Sequence, residues 1–246
     1  MSAGERKEGP MTRAYQIGVQ GDGLHAIEYL WSQLAQLLPA DWPPGVIPTP
    51  RTHDRGTAGF PDGAGLYRKT GDPLPPFPVA GVMFVGHNTD AADMHASRRT
   101  GGISPGEPPN GRMPTWVRLY ALFRHAGFDP HEMFVTNIYV GLKAGGEARG
   151  RFPGADDPSF CAWCAAFLDE QIQLMRPRAI VTLGDAAAQE FGLQRGRIES
   201  KRRAGVTFKA AALMHPSSGW LYRKRDSTTD RWIDQEARIL KEVSTS

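Results

Sequence analysis

Three short polar clusters in this 246-residue chain combine residue types that can do chemistry on a polar substrate. Gly86-His87-Asn88-Thr89-Asp90 follows the apolar run Val82 to Val85. A glycine there lets the backbone turn sharply and approach a ligand, while Asn88, Asp90 or Asp93 can hold a water molecule. Thr136-Asn137 ends a second apolar run. The Asn137 amide offers one donor and one acceptor, the pattern that reads a carbonyl beside an N–H. His215-Pro216-Ser217-Ser218 follows a third run. His215 can donate to an oxygen that gains negative charge as a bond breaks, and the serines and loop amides suit phosphate. Singly, each is commonplace, since Gly-Xaa-Asn after a strand is ordinarily a turn and a strand-end Asn a cap. Their value depends on a fold that makes them converge.

The elements that would do so are legible from periodicity. Apolar runs at Val82 to Val85, Met133 to Ile138, Ala179 to Leu183 and Phe208 to Met214 have the length of buried strands. Between and after them lie helical patterns at Thr115 to His125 and Ser159 to Met175, a short one from Asp185, and a terminal one over Thr229 to Val243. Alternating strands and helices predict an α/β fold, a three-layer α/β/α sandwich around a central four-stranded, mainly parallel sheet. In such sheets ligands bind beyond the carboxyl ends of the strands. That rule selects Gly86 to Asp90, Asn137 to Tyr139, Gly184-Asp185 and the His215 loop.

Ahead of this region, Leu24, Ile27, Leu30, Trp31, Leu34, Leu37 and Leu38 predict one amphipathic helix stopped by Pro39. Ten of the 20 prolines then fall between Pro39 and Pro78, which excludes long regular elements there. The expected organisation is an N-terminal tail, helix and Pro/Gly-rich extension over 1–78 and a catalytic domain over 79–246.

Composition narrows the classes. With 40% hydrophobic and 22% charged residues the chain is globular rather than disordered. No apolar run nears the roughly 18 residues of a membrane helix, and Met1 to Pro10 is unlike a secretory signal, so a cytoplasmic protein is expected, nucleoid-associated if bacterial. From Arg195 to Arg225 nine Lys or Arg face one acid, Glu199. That local +8 leaves −5 for the rest of a chain whose net charge is +3. A basic segment flanking the His215 loop favours a polyanionic partner, with nucleic acid foremost. Cys161 and Cys164 have redox-like spacing but lie within an apolar-faced helical pattern, and no further thiols complete a metal site. They read as buried structural cysteines.

Together the three clusters resemble the uracil-DNA glycosylase superfamily over roughly Val79 to Arg225. Gly86-His87-Asn88 is similar to its first motif, Thr136-Asn137 to the strand end that reads uracil, and His215-Pro216-Ser217 with Tyr222-Arg223 to its His loop. Pro109-Asn110 to Gly127, with Trp116 ahead of an apolar helix, resembles the mismatch-specific branch. Cys164 to Leu168, Arg176-Pro177 and Leu183-Gly184 look like the iron–sulfur branch. Departures are also plain. Thr89-Asp90 replaces the usual Pro and following Gly or Tyr, Ala144 stands where a cluster cysteine is expected, and Gly219 stands at the wedge position, leaving Trp220 or Leu221 as substitutes.

The resemblance implies a monofunctional glycosylase that flips and hydrolyses uracil from DNA in base-excision repair, with no iron–sulfur cluster, metal or other cofactor, acting as a monomer. Asn88 and His215 would be catalytic, with Asp90 stabilising the sugar cation. Gly86, His87, Asn137 and Trp116 would bind the base. Ser217, Ser218, Trp220, Arg223, Arg202 and Arg203 would bind DNA, whether single- or double-stranded. Two alternatives remain: a catalytically lapsed binder of abasic DNA, and a small-molecule hydrolase on the same sheet.

Overall fold

Apolar residues at three- and four-residue spacing bury one side of helix α1 (Gly23–Leu34) through Ala26, Ile27, Leu30 and Leu34. The computed structural model describes residues 23–51, 59–66, 75–100, 114–129, 132–147, 150–218 and 228–245. Helix α1 stops before the expected Pro39 because the ladder tightens, Gln36 and Leu37 donating to the carbonyls three residues back. Leu38, expected on the apolar face, is 63% exposed. The chain then forms the two-residue strand β1 (Val46–Ile47).

Strand β2 (Val82–Gly86) leads through the first polar cluster into α2 (Ala92–Thr100), a helix the periodicity did not reveal. Next come α3 (Pro114–Ala126), β3 (Met133–Asn137) and β4 (Leu142–Lys143), which pairs antiparallel with β1. Helix α4 (Pro158–Met175) is well bounded. Asp157 caps it by accepting from the Phe160 amide at 2.9 Å, Pro158 opens it, and Arg176 ends it in a left-handed conformation before Pro177. Strand β5 (Ala179–Leu183), short helix α5 (Asp185–Glu190), strands β6 (Ile198–Arg203) and β7 (Val206–Leu213), and helix α6 (Thr228–Thr245) complete the order.

The main sheet has five strands, not four, in the order β3-β2-β5-β7-β6. The four expected strands are its parallel part, and β6 is an antiparallel edge. Strand β6, IESKRR, escaped detection because its charges look like a solvated run. On an edge strand such charges are tolerated and deter further pairing. It turns into β7 through Ala204 and Gly205, both at positive φ as a tight hairpin turn requires.

Alternation along the strands divides the core into two layers. Val82, Phe84, Val135, Val181, Ala211 and Leu213 face α3 and α6. Met83, Val85, Phe134, Ile180, Ala210 and Ala212 face α1, α4 and α5. The protein is therefore a three-layer α/β/α sandwich. Residues ahead of β2 enter the second layer: Phe60 is fully buried, with its ring 5.8 Å from Trp31 and 6.0 Å from both Phe134 and Phe167. The same segment covers the free edge of β3. Phe60 donates to the Val135 carbonyl at 2.8 Å, and Val135 to that of Gly65 at 2.7 Å. Replacing Phe60 by Ala should therefore lower the unfolding free energy by about 3–5 kcal/mol in a urea titration. A loss under about 1 kcal/mol would mean that this segment is not part of the core.

Candidate active site

Parallel pairing brings the first two clusters together directly. Gly86 lies opposite Asn137 in the β2–β3 register. A Cβ at Gly86 would overlap Asn137 Oδ1, so the glycine is what lets the amide keep this orientation. Beyond the strands the loops zip together: Ile138 donates to the Gly86 carbonyl at 2.9 Å, Tyr139 to that of His87 at 3.0 Å, and Lys143 to that of Asp90 at 2.9 Å. Asn137 Nδ2 donates to Thr89 Oγ1 at 3.3 Å. The residue that departs from the family pattern thus orients the amide, a contact no sequence signal disclosed.

His87 and Asn88 form a pair, His87 Nδ1 lying 2.8 Å from Asn88 Oδ1. The His87 ring stands edge-on to Tyr139 at 5.3 Å, and Tyr139 stacks on Phe152 at 5.3 Å. Burial pushes the Tyr139 hydroxyl up to about 12, with the Cys161 thiol adding to the shift, so this ring serves as an uncharged wall. Asp90 is buried, and its Oδ1 accepts the Ala91 amide at 2.9 Å. Asp93 is exposed.

The third cluster closes on the neighbouring strand pair. Leu183 lies opposite Leu213, and Gly184 donates back to the Leu213 carbonyl at 2.9 Å. Gly184 has φ +87°, and a Cβ there would stand 3.0 Å from His215 Cβ, so this glycine makes room for the histidine. His215 Nδ1 accepts from the Ser217 amide at 3.1 Å and has Ser217 Oγ at 2.6 Å. A ring nitrogen that accepts an N–H carries no proton, so the proton of neutral His215 sits on Nε2. Burial lowers the His215 pKa below its ordinary value, and nearby His87 pushes the same way. His87 is lowered too, mainly by burial and against the opposing Asn88 contact. The crevice thus holds two histidines that favour the neutral form.

The remaining expected residues are distributed unevenly. The amides of Ser217 and Ser218 are used inside the loop, Ser218 donating both N–H and Oγ–H to the His215 carbonyl at 2.9 and 2.8 Å. Trp116 packs on the outer core layer with α3, beside Gly59. Tyr139 and Phe152 are the rings placed against His87. Arg202 and Arg203 pair with Thr207 and Val206 at the start of β7, roughly 20 Å along the strand from its carboxyl end. Arg203 is engaged there by Asp169 and Glu190 and lies 5.0 Å over the Phe191 ring. The basic segment is therefore divided between the two ends of the sheet, which charge counting alone could not show. Trp220 and Arg223, with Gly219, Leu221 and Tyr222, lie outside the described residues.

Cys161 and Cys164 are free thiols in the first half of α4. Burial pushes Cys164 up to about 12 and keeps it protonated. Ala144, the position without a cysteine, donates its amide to Gly45. Among the described residues no group of three or more His, Cys, Asp or Glu could hold a metal ion, and no helix is long and apolar enough to cross a membrane.

A mainly parallel sheet with polar clusters beyond its carboxyl edge defines an α/β domain of the class whose ligands bind at the strand ends. The chain matches the Uracil DNA glycosylase superfamily over residues 76–236, a span holding all three clusters, and it belongs to that superfamily. Its domain is thus of the DNA-glycosylase type, and members of the superfamily bind DNA. No curated protein matches the chain.

Two predictions follow from the geometry. Gly86→Ala should displace the Asn137 side chain, seen as a large shift of its NH2 resonances by NMR. Unmoved resonances would remove the close-packing argument. Because the folded His215 pKa lies below 6.5, the stability this group adds is present above pH 6.5 and is lost as pH falls through the folded value. The stability difference between wild type and His215→Gln should accordingly shrink between pH 7.5 and pH 5, and a constant difference would contradict the shift.

Proposed function

We propose that this protein is a monofunctional DNA glycosylase that flips uracil, with other deaminated bases as further candidates, out of DNA and hydrolyses the N-glycosidic bond in base-excision repair. The observation that carries the reading is the meeting, at one sheet edge, of an orientable amide on Asn137 with a neutral histidine whose Nε2 holds a proton. Asn137 would pair with the uracil edge through one donor and one acceptor. Cytosine presents an amino donor and an unprotonated ring nitrogen at this edge, which reverses both and leaves buried polar groups unpaired, and this is how a single amide can discriminate strongly. Flipping costs a few kcal/mol, least for mispaired or single-stranded bases.

As the C1′–N1 bond breaks, its electron pair moves onto the base and the sugar becomes cationic. His215 Nε2–H would donate to the uracil carbonyl that gains the charge. A preorganised donor of this kind is worth about 2.7–4 kcal/mol. Water then adds its oxygen to C1′ and loses a proton to solvent, and the departed uracil anion takes one up to become free uracil. Asn88, held by His87, would position that water, with Asp90 stabilising the cation through the loop it anchors. No lysine is assigned a nucleophilic role, so strand cleavage is not expected. Neither a cofactor nor a metal enters the reaction, and the acting species is taken to be a cytoplasmic monomer.

DNA would lie over the His215 loop, with Ser217, Ser218, Trp220 and Arg223 the proposed contacts. Arg202 and Arg203 would serve only a duplex that extends to the far end of the sheet. The region before residue 79 is proposed as an extension that completes the inner layer.

Incubation with a uracil-containing oligonucleotide should release free uracil and leave an alkali-labile site. Asn137→Ala should reduce excision at least 100-fold while DNA affinity changes by less than about threefold. Binding of abasic or uracil DNA without release, on single and double strands alike, would instead favour the lapsed-enzyme reading. That alternative draws on Thr89-Asp90 at the water motif and on the Asp90 carboxylate accepting within its own loop. Salt-insensitive cleavage of a free nucleoside would point to a small-molecule hydrolase.

A further inference from the structure

The His215 loop is gripped from two helices by groups of opposite charge. Glu236 is a buried carboxylate on α6, and its Oε2 accepts the Met214 amide at 3.2 Å, one residue before His215. Arg118, on α3, donates through its guanidinium to the Pro216 carbonyl, one residue after His215. Helices α3 and α6 pack together on the outer face of the sheet. The two anchors thus belong to one rigid layer, while Gly184 fixes the other side of His215. A carboxylate on an N–H and a guanidinium on a C=O are charge-assisted bonds, stronger than neutral ones.

We infer that Glu236 and Arg118 are positioning residues for the departing-base step, holding the backbone on both sides of His215 so that Nε2–H points into the crevice. This rests on the glycosylase reading but concerns residues outside the three strand-end clusters. Neither residue touches the reacting atoms. Misplacement of a preorganised donor by about 1 Å is enough to cost roughly 100-fold in rate, so the anchors matter without contacting substrate.

Glu236 has a further property. Burial raises its pKa to about 7, against lowering by the Met214 amide and by Arg195. Arg195 itself is held in a bidentate pair by Asp185, at 2.6 and 2.8 Å. Glu236 is therefore the anchor whose charge changes near neutrality. Its folded pKa exceeds the unfolded one, so the folded form binds the extra proton and stability falls as pH rises from about 4.5 to 7. A carboxylate retained despite that cost is the pattern expected of a group kept for position rather than for stability.

The test compares Glu236→Gln, Glu236→Leu and Arg118→Ala with wild type in single-turnover excision and by the His215 ring resonances in NMR. Leu removes the acceptor and should lower the excision rate at least tenfold and shift the His215 resonances. Gln keeps an acceptor oxygen, should recover most of that rate, and should remove any inflection near pH 7 from the rate profile. Gln should also gain stability relative to wild type as pH rises from 5 to 8. Arg118→Ala should move the same resonances and slow excision without weakening DNA binding more than about threefold. Unshifted His215 resonances in both Glu236→Leu and Arg118→Ala would overturn the proposal. Should Glu236→Leu not fold, unshifted resonances in Arg118→Ala overturn it. Because the resonances report on the loop whether or not uracil is released, shifted resonances in a protein that excises nothing would leave the anchors standing and sink the glycosylase reading.

Discussion

One hydrogen bond governs what the crevice can do: the Ser217 amide donating to His215 Nδ1. It forces the imidazole proton of the neutral ring onto Nε2, and burial together with His87 keeps the ring neutral. A histidine free to choose its tautomer or to ionise would present a mixed face to a ligand. With Nδ1 occupied, the ring is a donor of one kind in one direction. The surrounding structure serves that arrangement, through Gly184 beneath the ring and the Met214 and Pro216 contacts on either side.

The second constraint is closeness. Neighbouring strands lie about 4.8 Å apart, and a residue without a Cβ lets a side chain from the neighbouring strand or loop lie over its backbone. Gly86 makes room for Asn137 and Gly184 for His215. The Asn137 amide and the His215 donor are consequently mounted on adjacent strand pairs of one sheet, with loop–loop hydrogen bonds tying the β2 and β3 ends together. A site built this way depends on the core beneath it. Phe60 and its aromatic neighbours stabilise β3, whose last residue is Asn137.

Much of this was legible in the chain itself, for a physical reason. Buried parallel strands are nearly continuous apolar runs, so Val82–Val85 and Ala179–Leu183 stand out, and the residues just after them are where ligands bind. Strand β6 did not stand out because an edge strand can be charged on both faces. Helix α2 was hidden by its polar composition. Glu236 and Arg118 act across more than ninety residues or through an exposed-looking helix pattern, and no local spacing announces such contacts. The basic run misled in part: sequence proximity put Arg202 and Arg203 beside His215, whereas the hairpin carries them to the other end of β7. Thr89 looked like a loss from the motif, yet its hydroxyl receives the Asn137 amide.

The most direct measurement of the central claim is the protonation of His215 in long-range ¹H–¹⁵N NMR spectra of the ¹⁵N-labelled protein at pH 7. The account predicts a neutral ring with the proton on Nε2 and an acceptor-type shift for Nδ1. An imidazolium at pH 7, or a proton on Nδ1, would contradict it.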